Sequence, residues 1–270
     1  MYTDYFKLRE NPFNVTPDPA YLFLSHRHSE ALNHLRYGIE ARKGFIQITG
    51  EIGTGKTTIC RALLNSLNAS TKTALILNPA LSESQLLENI LEEYNIPIIK
   101  RNRLSMIKAL NKFLLEELAK GNNCILIIDE AQNLKPNHLE YLRLLSNLET
   151  EKEKLFQIIF VGQPELKNRL DTPQLRQLRQ RITVRYHIQP LDKEEVPLYI
   201  KHRLKVAGNE EAVIFDSSAF EKIYNYSQGT PRLINSLCDK ALLCAYAQAT
   251  DNITAEIVKK ALDELEGVIA

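Results

Sequence analysis

The sequence lacks a long hydrophobic run, an excess of either charge and a secretion leader. No window approaches the roughly 18 apolar residues that a membrane-spanning helix needs. The first ten residues, MYTDYFKLRE, are too polar for a signal peptide. Lysine and arginine number 34 against 33 aspartates and glutamates, so the net charge of +1 does not indicate a nucleic-acid or membrane partner. We therefore expect a soluble, cytoplasmic protein that reaches a membrane only through a partner.

The cysteines follow no ligand or disulfide pattern. Cys60, Cys124, Cys238 and Cys244 stand singly among apolar neighbours, without the paired spacing of a zinc site. They indicate buried, reduced thiols in a cytosolic protein. With 270 residues, the chain is long enough for one or two domains with a sizeable core.

Glycine is scarce, with 10 residues, but three glycines stand close together between positions 50 and 55. The stretch FIQITG, residues 45–50, predicts a short strand, and the apolar residues between positions 59 and 64 predict a helix. Between them lies the pattern G-x-x-x-x-G-K-T, with the strand before it and the helix after it that a phosphate-binding loop requires. The alternative is a chance match in an ordinary glycine-rich turn.

This loop offers the chemistry that a nucleoside triphosphate needs. Its backbone N–H groups can form an anion nest, and the following helix adds the positive end of its dipole. Lys56 can reach the β- and γ-phosphates, and the hydroxyl of Thr57 can bind Mg²⁺. The predicted nucleotide-binding residues of this stretch are Gly50, Glu51, Ile52, Gly53, Thr54, Gly55, Lys56, Thr57 and Thr58.

A second buried strand, residues 124–128 with the sequence CILII, ends at two acidic residues. Asp129 stands at the carboxyl end of this strand, where parallel sheets bind their ligands, and can hold the Mg²⁺ shell together with Thr57. Glu130 can accept a proton from the attacking water or orient that water. The alternative is a strand that ends at two solvated acids, and the glycine-rich loop upstream argues against it.

Two further polar features are consistent either with a phosphate contact or with an ordinary structural role. Gln163 follows the predicted strand 155–161 and either contacts the γ-phosphate or is a turn residue. Arg179 and Arg181 close a basic stretch before a last predicted strand at 182–188. The simplest interpretation of these arginines is a solvated helix end. The alternatives are an arginine supplied to the phosphates of a neighbouring subunit and a DNA contact.

The two ends of the chain differ from this α/β pattern. Residues 1–24 are rich in proline and aromatic residues and predict a strap packed on the nucleotide-binding core. From residue 191, helices are predicted without strands, which indicates a small all-α domain. Arg232 lies in the first turn of one of these helices, where a cation opposes the helix dipole, so its position asks for an external anion. His26 and His28 are interpreted as surface or capping residues and not as metal ligands.

Together these features resemble an AAA+ ATPase. More narrowly, essentially the whole chain resembles the ExeA type, the general secretion pathway protein A ATPases with their MSHA-pilus and exopolysaccharide relatives. The motifs that carry this narrower resemblance are Asn11-Pro12-Phe13, Thr16-Pro17-Asp18-Pro19, Ser25, His28-x-Glu30-Ala31-Leu32, Gly162-Gln163-Pro164-Glu165-Leu166, Leu178-Arg179-Gln180-Arg181-Ile182 and Gly229-Thr230-Pro231-Arg232.

The resemblance implies a P-loop AAA+ fold of the α/β class, in which a doubly wound parallel five-stranded sheet is followed by a small all-α lid domain. It divides the chain into the strap at 1–24, an AAA+ nucleotide-binding domain at 25–190 and a helical lid domain at 191–270. The family's site residues fall on Lys56, Thr57 and Asp129 for Mg-ATP, Glu130 as catalytic base, Gln163 as sensor 1, Arg232 as sensor 2, and Arg179 or Arg181 as arginine finger.

The chain departs from the family pattern at two places. Gln163 stands where the usual sensor 1 residue is Asn, Thr or Ser. The sequence ends at Ala270, where longer ExeA-type proteins continue with a transmembrane helix and a periplasmic peptidoglycan-binding domain. A direct cell-wall role is therefore not expected for this chain.

The function that the resemblance implies is Mg-ATP hydrolysis by a homo-oligomer, ring or filament. Such an ATPase drives or regulates assembly of a bacterial envelope machine for secretion, type IV pili or polysaccharide export. An inner-membrane or envelope-assembly protein is the expected partner and would hold the cytoplasmic protein at the inner membrane. The alternative is a transposition or DNA-remodelling AAA+ ATPase of the TniB and IstB sort, which shares the domain plan and predicts salt-dependent DNA binding.

Overall fold

The computed structural model describes residues 2–148, 154–211 and 213–267. Its strands are β1 Phe45–Gly50, β2 Thr71–Ile76, β3 Asn123–Ile128, β4 Gln157–Gly162, β5 Ile182–Ile188, β6 Ile214–Phe215 and β7 Asn252–Ile253. Its helices are α1 Tyr2–Tyr5, α2 His26–Glu40, α3 Lys56–Ser66, α4 Glu83–Glu93, α5 Arg103–Ala119, α6 Pro136–Leu145, α7 Pro164–Leu170, α8 Arg176–Arg181, α9 Glu195–Val206, α10 Ser217–Ser227, α11 Pro231–Ala247 and α12 Ala255–Leu265. The described residues form two compact units, which we call the α/β unit and the helical unit.

The α/β unit, Ser29–Ile52 with Ile59–Ile188, is built on a five-stranded sheet in the order β2-β3-β4-β1-β5. Every neighbouring pair of strands in this sheet is parallel. The internal strands β1 and β4 are buried at every position. This burial explains the apolar run IIFV in β4, whereas β1 also buries the polar residues Gln47 and Thr49. The predicted five-stranded parallel sheet is confirmed.

The strand order determines which of the polar residues that follow the strands lie at the same edge of the sheet. β1 lies beside β4, and β4 lies beside β3. Because parallel strands end at the same edge, the residues that follow Gly50, Ile128 and Gly162 share one edge of the sheet. That edge therefore carries the start of the glycine-rich loop together with Asp129 and Gln163.

Most predicted elements agree with the structure, with small differences at their ends. The strand predicted at 124–128 begins one residue earlier, at Asn123, because Asn123 pairs with Thr71 of β2. The strand predicted at 155–161 lies at Gln157–Gly162. Polar ends of strands pair with their neighbours without adding to the apolar pattern, so the sequence alone places such ends poorly.

The helical unit consists of the described residues of Met1–His28, Gly53–Thr58 and Gln189–Ala270. Its apolar core is formed by side chains of α9, α10, α11 and α12 together with Tyr2, Phe6 and Phe13 of the N-terminal strap. This corrects the expectation that the strap packs on the nucleotide-binding core. The physical reason is that the C-terminal helices offer a continuous apolar surface, which the rings of the strap cover.

Arg203 of α9 holds the strap in this position. Its guanidinium donates hydrogen bonds to the carbonyl oxygens of Pro12 at 2.6 Å and Asn14 at 2.9 Å, and it lies 4.2 Å from the ring centroid of Tyr21. The Arg203 side chain is buried, so its positive charge is compensated by carbonyl dipoles and a ring face instead of water. Burial and the hydrogen bond to Glu10 raise the pKa of Tyr21 well above its ordinary value.

The helical unit also contains a pair of strands that the sequence does not predict. β6 and β7 are two residues each and pair in parallel between Ile214–Phe215 and Asn252–Ile253. Runs this short carry no periodicity, so the expectation of helices without strands needs this correction. Among the described residues, no helix combines the length and the apolar character needed to span a membrane.

Candidate functional site

The glycine-rich loop leads from Gly50, the last residue of β1, to Lys56, the first residue of α3. Gly53 and Gly55 have φ values of 83° and 91°, a region that residues with a Cβ rarely adopt. Thr54 and Lys56 are buried, whereas Glu51 and Ile52 are exposed. The strand, the loop and the helix therefore follow one another as the phosphate-loop pattern predicts.

Helix α11 holds the loop at Gly53. The backbone N–H of Arg232 donates a hydrogen bond to the carbonyl oxygen of Gly53 at 3.2 Å. A Cβ on Gly53 would lie 2.6 Å from the Cβ of Arg232 and 3.2 Å from the Cγ2 of Thr230, so this approach requires glycine. Arg232, the predicted sensor 2 residue, thus lies beside Gly53 within the helical unit.

His28 holds the next carbonyl of the loop. Its Nε2 lies 3.0 Å from the carbonyl oxygen of Thr54, and its Nδ1 lies 2.7 Å from the hydroxyl oxygen of Ser25. The ring is only 4% exposed, and burial lowers the pKa of His28. The interpretation of His28 as a surface or capping residue is therefore wrong, because the capping hydroxyl of Ser25 also binds a ring that points into the protein. The sequence signal for a specific role of His28 was its place in the motif His28-x-Glu30-Ala31-Leu32.

Asp129 and Glu130 follow β3 at the carboxyl edge of the sheet. Asp129 is 3% exposed, and its carboxylate accepts a hydrogen bond from the backbone N–H of Glu130 at 2.9 Å. Glu130 has a φ of 50°, in the left-handed region, which costs about 1–2 kcal/mol for a residue with a Cβ. Such strain is typical of functional positions, where the surrounding structure fixes the backbone.

A network of amide groups surrounds the carboxylate of Glu130. The side-chain nitrogen of Gln132 donates to this carboxylate, and the nitrogen of Gln163 lies 3.4 Å from the same oxygen. The side-chain oxygen of Gln132 accepts from the backbone N–H of Gln163 at 2.9 Å. A Cβ on Gly162 would lie 2.7 Å from that oxygen, so glycine leaves room for the amide. The structure thus brings Gln163 to Glu130.

Gln132 is a site residue that the sequence analysis did not identify. It follows Glu130 by two positions, where a three-residue 3₁₀ turn at Ala131–Asn133 directs its side chain back toward the strand ends. The turn has no periodic pattern, so the direction of this side chain could not be predicted. The sequence signal for Gln132 was an amide side chain close behind the two acids that follow β3. In the structure this side chain is 8% exposed.

The two candidate arginine fingers lie on α8 and make different contacts. Arg179 forms an ion pair with Asp171 at 3.3 Å, in which both side chains are nearly half exposed. Such an exposed pair contributes about 0–1 kcal/mol, so it does little to fix the guanidinium. Arg181 donates to the side-chain oxygen of Asn147 at 2.5 Å and lies 3.4 Å from the hydroxyl of Ser146. These contacts lie within the α/β unit and do not show which of the two arginines is the better candidate for the arginine finger.

The candidate metal ligands are oxygen donors. The Thr57 hydroxyl and the Asp129 carboxylate are hard ligands of the kind that Mg²⁺ prefers, and Mg²⁺ usually keeps several waters beside one or two protein groups. Within the described part of the chain, no group of three or more His, Cys, Asp or Glu residues is arranged to hold a metal ion. The donor set therefore fits a Mg²⁺ ion that arrives with a nucleotide.

The chain is similar to known proteins in both sequence and fold. The AAA domain family model matches residues 39–170. The chain is 46% identical over 269 residues to general secretion pathway protein A of Aeromonas hydrophila, which covers 99% of this chain and 49% of that protein. It is 27% identical over 217 residues to DNA polymerase III subunit gamma of Buchnera aphidicola, which covers 79% of this chain and 53% of that protein. The chain thus spans about half the length of these curated relatives.

Solved structures share the fold at low sequence identity. The ORC2 protein of Aeropyrum pernix, in its ADPNP–ADP complexes, matches with a TM-score of 0.72 at 16% identity, covering 95% of this chain and 72% of that chain. The RuvB Holliday junction branch migration motor of Thermotoga maritima matches with a TM-score of 0.53 at 19% identity, covering 90% and 70%. At these identities the likeness shows the fold alone. The predicted AAA-type fold and the resemblance to general secretion pathway protein A are both confirmed.

Proposed function

We propose that this chain is a Mg-ATP-dependent ATPase, because the AAA domain family model matches residues 39–170 and the chain is similar to general secretion pathway protein A over 99% of its length. The phosphate loop binds the triphosphate, with Lys56 at the β- and γ-phosphates. Thr57 binds Mg²⁺ directly, and Asp129 holds waters of the metal shell. Bound Mg²⁺ supplies charge neutralisation on the phosphate oxygens.

The observation that carries this proposal is the amide network around Glu130. A general base must be held in one orientation near the attacking water. The amide of Gln132 and the side chain of Gln163 both approach the same oxygen of Glu130, which leaves its other oxygen for a water. Since this carboxylate stands at the sheet edge where the phosphate loop begins, it is suited to activate water next to a γ-phosphate. Gln163 acts in the sensor 1 role, and Arg232 acts as sensor 2.

A candidate arginine of α8 would make ATP hydrolysis depend on oligomer formation. We assign Arg179 or Arg181 to the γ-phosphate of a neighbouring copy, where an arginine stabilises the charge of the transition state. The protein then works as a ring or a filament of identical chains. Its activity depends on assembly because each complete site takes one residue from the next subunit.

The biological role rests on the relative. General secretion pathway protein A is named for secretion, and the motifs of this chain resemble the same type. We therefore propose that ATP turnover drives or regulates assembly of a bacterial envelope machine, with an inner-membrane or envelope-assembly protein as partner. The protein would act at the cytoplasmic side of the inner membrane through that partner. Because this chain spans about half of the relative, the activity and partners of the longer protein are part of the proposal.

ATP binding and hydrolysis provide the test. The purified protein should release phosphate from ATP with Mg²⁺ and stop when EDTA is added. Lys56→Ala should abolish ATP binding, because it removes a charge-assisted phosphate contact worth about 1.5–3 kcal/mol from a site built around it. Arg61→Ala on the same helix α3 is the matched control and should bind ATP normally. Near-normal affinity of the Lys56 variant would remove the phosphate-loop assignment.

The envelope role and the DNA-remodelling alternative need a separate experiment. In a strain that lacks the gene, secretin multimers or surface pili should decrease, and the wild-type gene should restore them. In parallel, binding to duplex DNA is measured across a series of salt concentrations. Tight DNA binding that falls steeply with salt, together with an unchanged envelope, would favour the DNA-remodelling function instead.

A further inference from the structure

Two successive carbonyl groups of the phosphate loop are held from outside the loop. The carbonyl oxygen of Gly53 accepts from the backbone N–H of Arg232, and that of Thr54 faces the Nε2 of His28 at 3.0 Å. The first contact uses main-chain atoms and does not depend on a side chain at position 232. The second depends entirely on the imidazole of His28. The contact with His28 is therefore an external anchor of the loop that a single substitution can remove.

The geometry of the peptide bond gives this anchor a consequence for anion binding. The described peptide bonds are trans, so the C=O of Thr54 and the N–H of Gly55 lie in one plane and point in opposite directions. With the carbonyl directed at His28, the N–H of Gly55 is directed away from it. A peptide rotated by half a turn would aim the carbonyl at a bound anion, whereas the observed orientation leaves the N–H for the anion nest.

The contact also determines where the imidazole proton lies. A carbonyl oxygen only accepts, so the Nε2 of His28 must carry a hydrogen. The hydroxyl of Ser25 lies 2.7 Å from Nδ1, and its oxygen accepts the backbone N–H of His28 at 3.3 Å. With its oxygen already used as an acceptor, the hydroxyl is suited to donate to Nδ1. Because burial lowers the pKa of His28, the ring is neutral at pH 7 and the Nε2–H tautomer is the one that fits.

We propose that His28 is a positioning residue for nucleotide binding, which orients the Thr54–Gly55 peptide so that its N–H faces the phosphates, and that Ser25 selects the tautomer that this requires. The inference rests on the proposed function, since the ligand is the oxyanion of the nucleotide bound there. His28 touches neither nucleotide nor water in this scheme. It acts through the loop alone.

A purely structural role for His28 makes a different prediction. A Cβ on Gly55 would lie 3.3 Å from Nε2, so the ring also packs closely against the loop. If packing were its whole contribution, a ring of similar size without a donor would serve equally well. A donor of different shape would serve poorly. The two explanations therefore separate when hydrogen bonding and volume are changed independently.

Three variants make that separation. His28→Phe keeps an aromatic ring and removes the donor, whereas His28→Gln places an amide N–H close to the position of Nε2. Ser25→Ala removes the hydroxyl that donates to Nδ1 and so favours the Nε2–H tautomer. The matched control is His26→Phe, an exposed position two residues earlier on α2. Equilibrium dissociation constants for a fluorescent ATP analogue and kcat at saturating ATP are measured for each variant. Thermal unfolding without nucleotide reports loss of packing.

We expect His28→Phe to bind ATP about tenfold more weakly, as the loss of one buried hydrogen bond implies, with kcat at saturation within about threefold. His28→Gln should recover affinity to within about threefold of wild type, and His26→Phe should bind normally. Equal weakening of the Phe and Gln variants, or normal affinity of His28→Phe, would overturn the proposal. Absence of ATP binding by the wild type would instead sink the proposed function.

The tautomer gives a second readout that needs no substitution at the loop. In protein labelled with ¹⁵N-histidine, the ring of His28, assigned by its absence in His28→Gln, should show a protonated Nε2 and a bare Nδ1 at pH 7. In Ser25→Ala the Nδ1–H tautomer should become populated, and ATP affinity should fall by about threefold or more. A wild-type ring whose Nε2 carries no proton would refute the assignment, whatever the affinities.

Discussion

The side-chain amide of Gln132 donates a hydrogen bond to the carboxylate of Glu130. Through its oxygen, the same amide accepts the backbone N–H of Gln163 at 2.9 Å. One side chain therefore joins the proposed general base to the residue in the sensor 1 position. Because an amide offers its donor and its acceptor in fixed directions, both contacts depend on one orientation of the Gln132 side chain.

Gln132→Leu tests this connection. The substitution keeps a similar volume, removes a donor from Glu130 and leaves the N–H of Gln163 without its partner. We expect kcat to fall by about tenfold or more while ATP affinity stays within about threefold, because the base is less well oriented. Single-turnover hydrolysis and analogue binding measure the two effects. Unchanged turnover would mean that the amide has only a structural role.

Glu130→Gln should separate binding from hydrolysis. The amide keeps the shape of the side chain but is a poor base, so ATP should bind and turnover should fall by roughly 10²-fold or more. Glu165→Gln, an exposed acid in the first turn of α7, is the matched control and should hydrolyse ATP normally. If the Glu130 variant hydrolyses ATP at the wild-type rate, the residue is a solvated strand end.

Alanine variants of Arg179 and Arg181 should show which of the two arginines of α8 is needed for hydrolysis. The one that acts as finger should lose roughly 10³-fold in turnover with ATP affinity within a few-fold, because it acts on the charge of the transition state. Arg176→Ala, an exposed arginine of the same helix, provides the control and should be normal. Activity per subunit should rise with protein concentration as oligomers form.

Mixing two inactive proteins tests whether the finger acts across subunits. The finger variant has an intact nucleotide site, and Lys56→Ala retains both arginines, so a mixture should regain part of the activity. Co-assembly of the two proteins is verified by crosslinking. A mixture that stays inactive although both proteins assemble together would return the arginines to the simplest interpretation, a basic helix end.

Arg203→Met should destabilise the helical unit. It removes the donors that bind the carbonyl oxygens of Pro12 and Asn14 and the cation over Tyr21, so the free energy of unfolding should fall by about 2–4 kcal/mol. Arg36→Met, at an exposed position of α2, should change it by less than about 0.5 kcal/mol. Urea unfolding followed by circular dichroism measures both, and equal stability of the two variants would contradict the anchoring role.

Much of the α/β unit could be predicted because its signals are local. The buried strands are short apolar runs, and the phosphate-loop pattern contains its own strand, glycines and helix start. The sequence also placed Asp129, Glu130 and Gln163 after strands, and parallel pairing then brings their positions to one edge. These predictions needed only the period of the pattern and the rule that parallel strands end together.

The rest depended on contacts between distant parts of the chain. His28 resembles any capping histidine until the carbonyl of Thr54, 26 residues away, is placed beside its ring. The direction of Gln132 is set by a 3₁₀ turn that has no sequence period. The strap 1–24 offered rings that suit either unit, and only the three-dimensional fit of the C-terminal helices decided between them.

The strap has a consequence for how the protein is made. Tyr2 donates a hydrogen bond to Asp239, 237 positions later in the chain. At about 5–20 residues per second, a ribosome needs roughly 10–50 s to travel between the two. For most of that time, the helices that cover the rings of the strap have not yet been synthesised. A segment that is synthesised long before its packing partners is thus among the last to be buried.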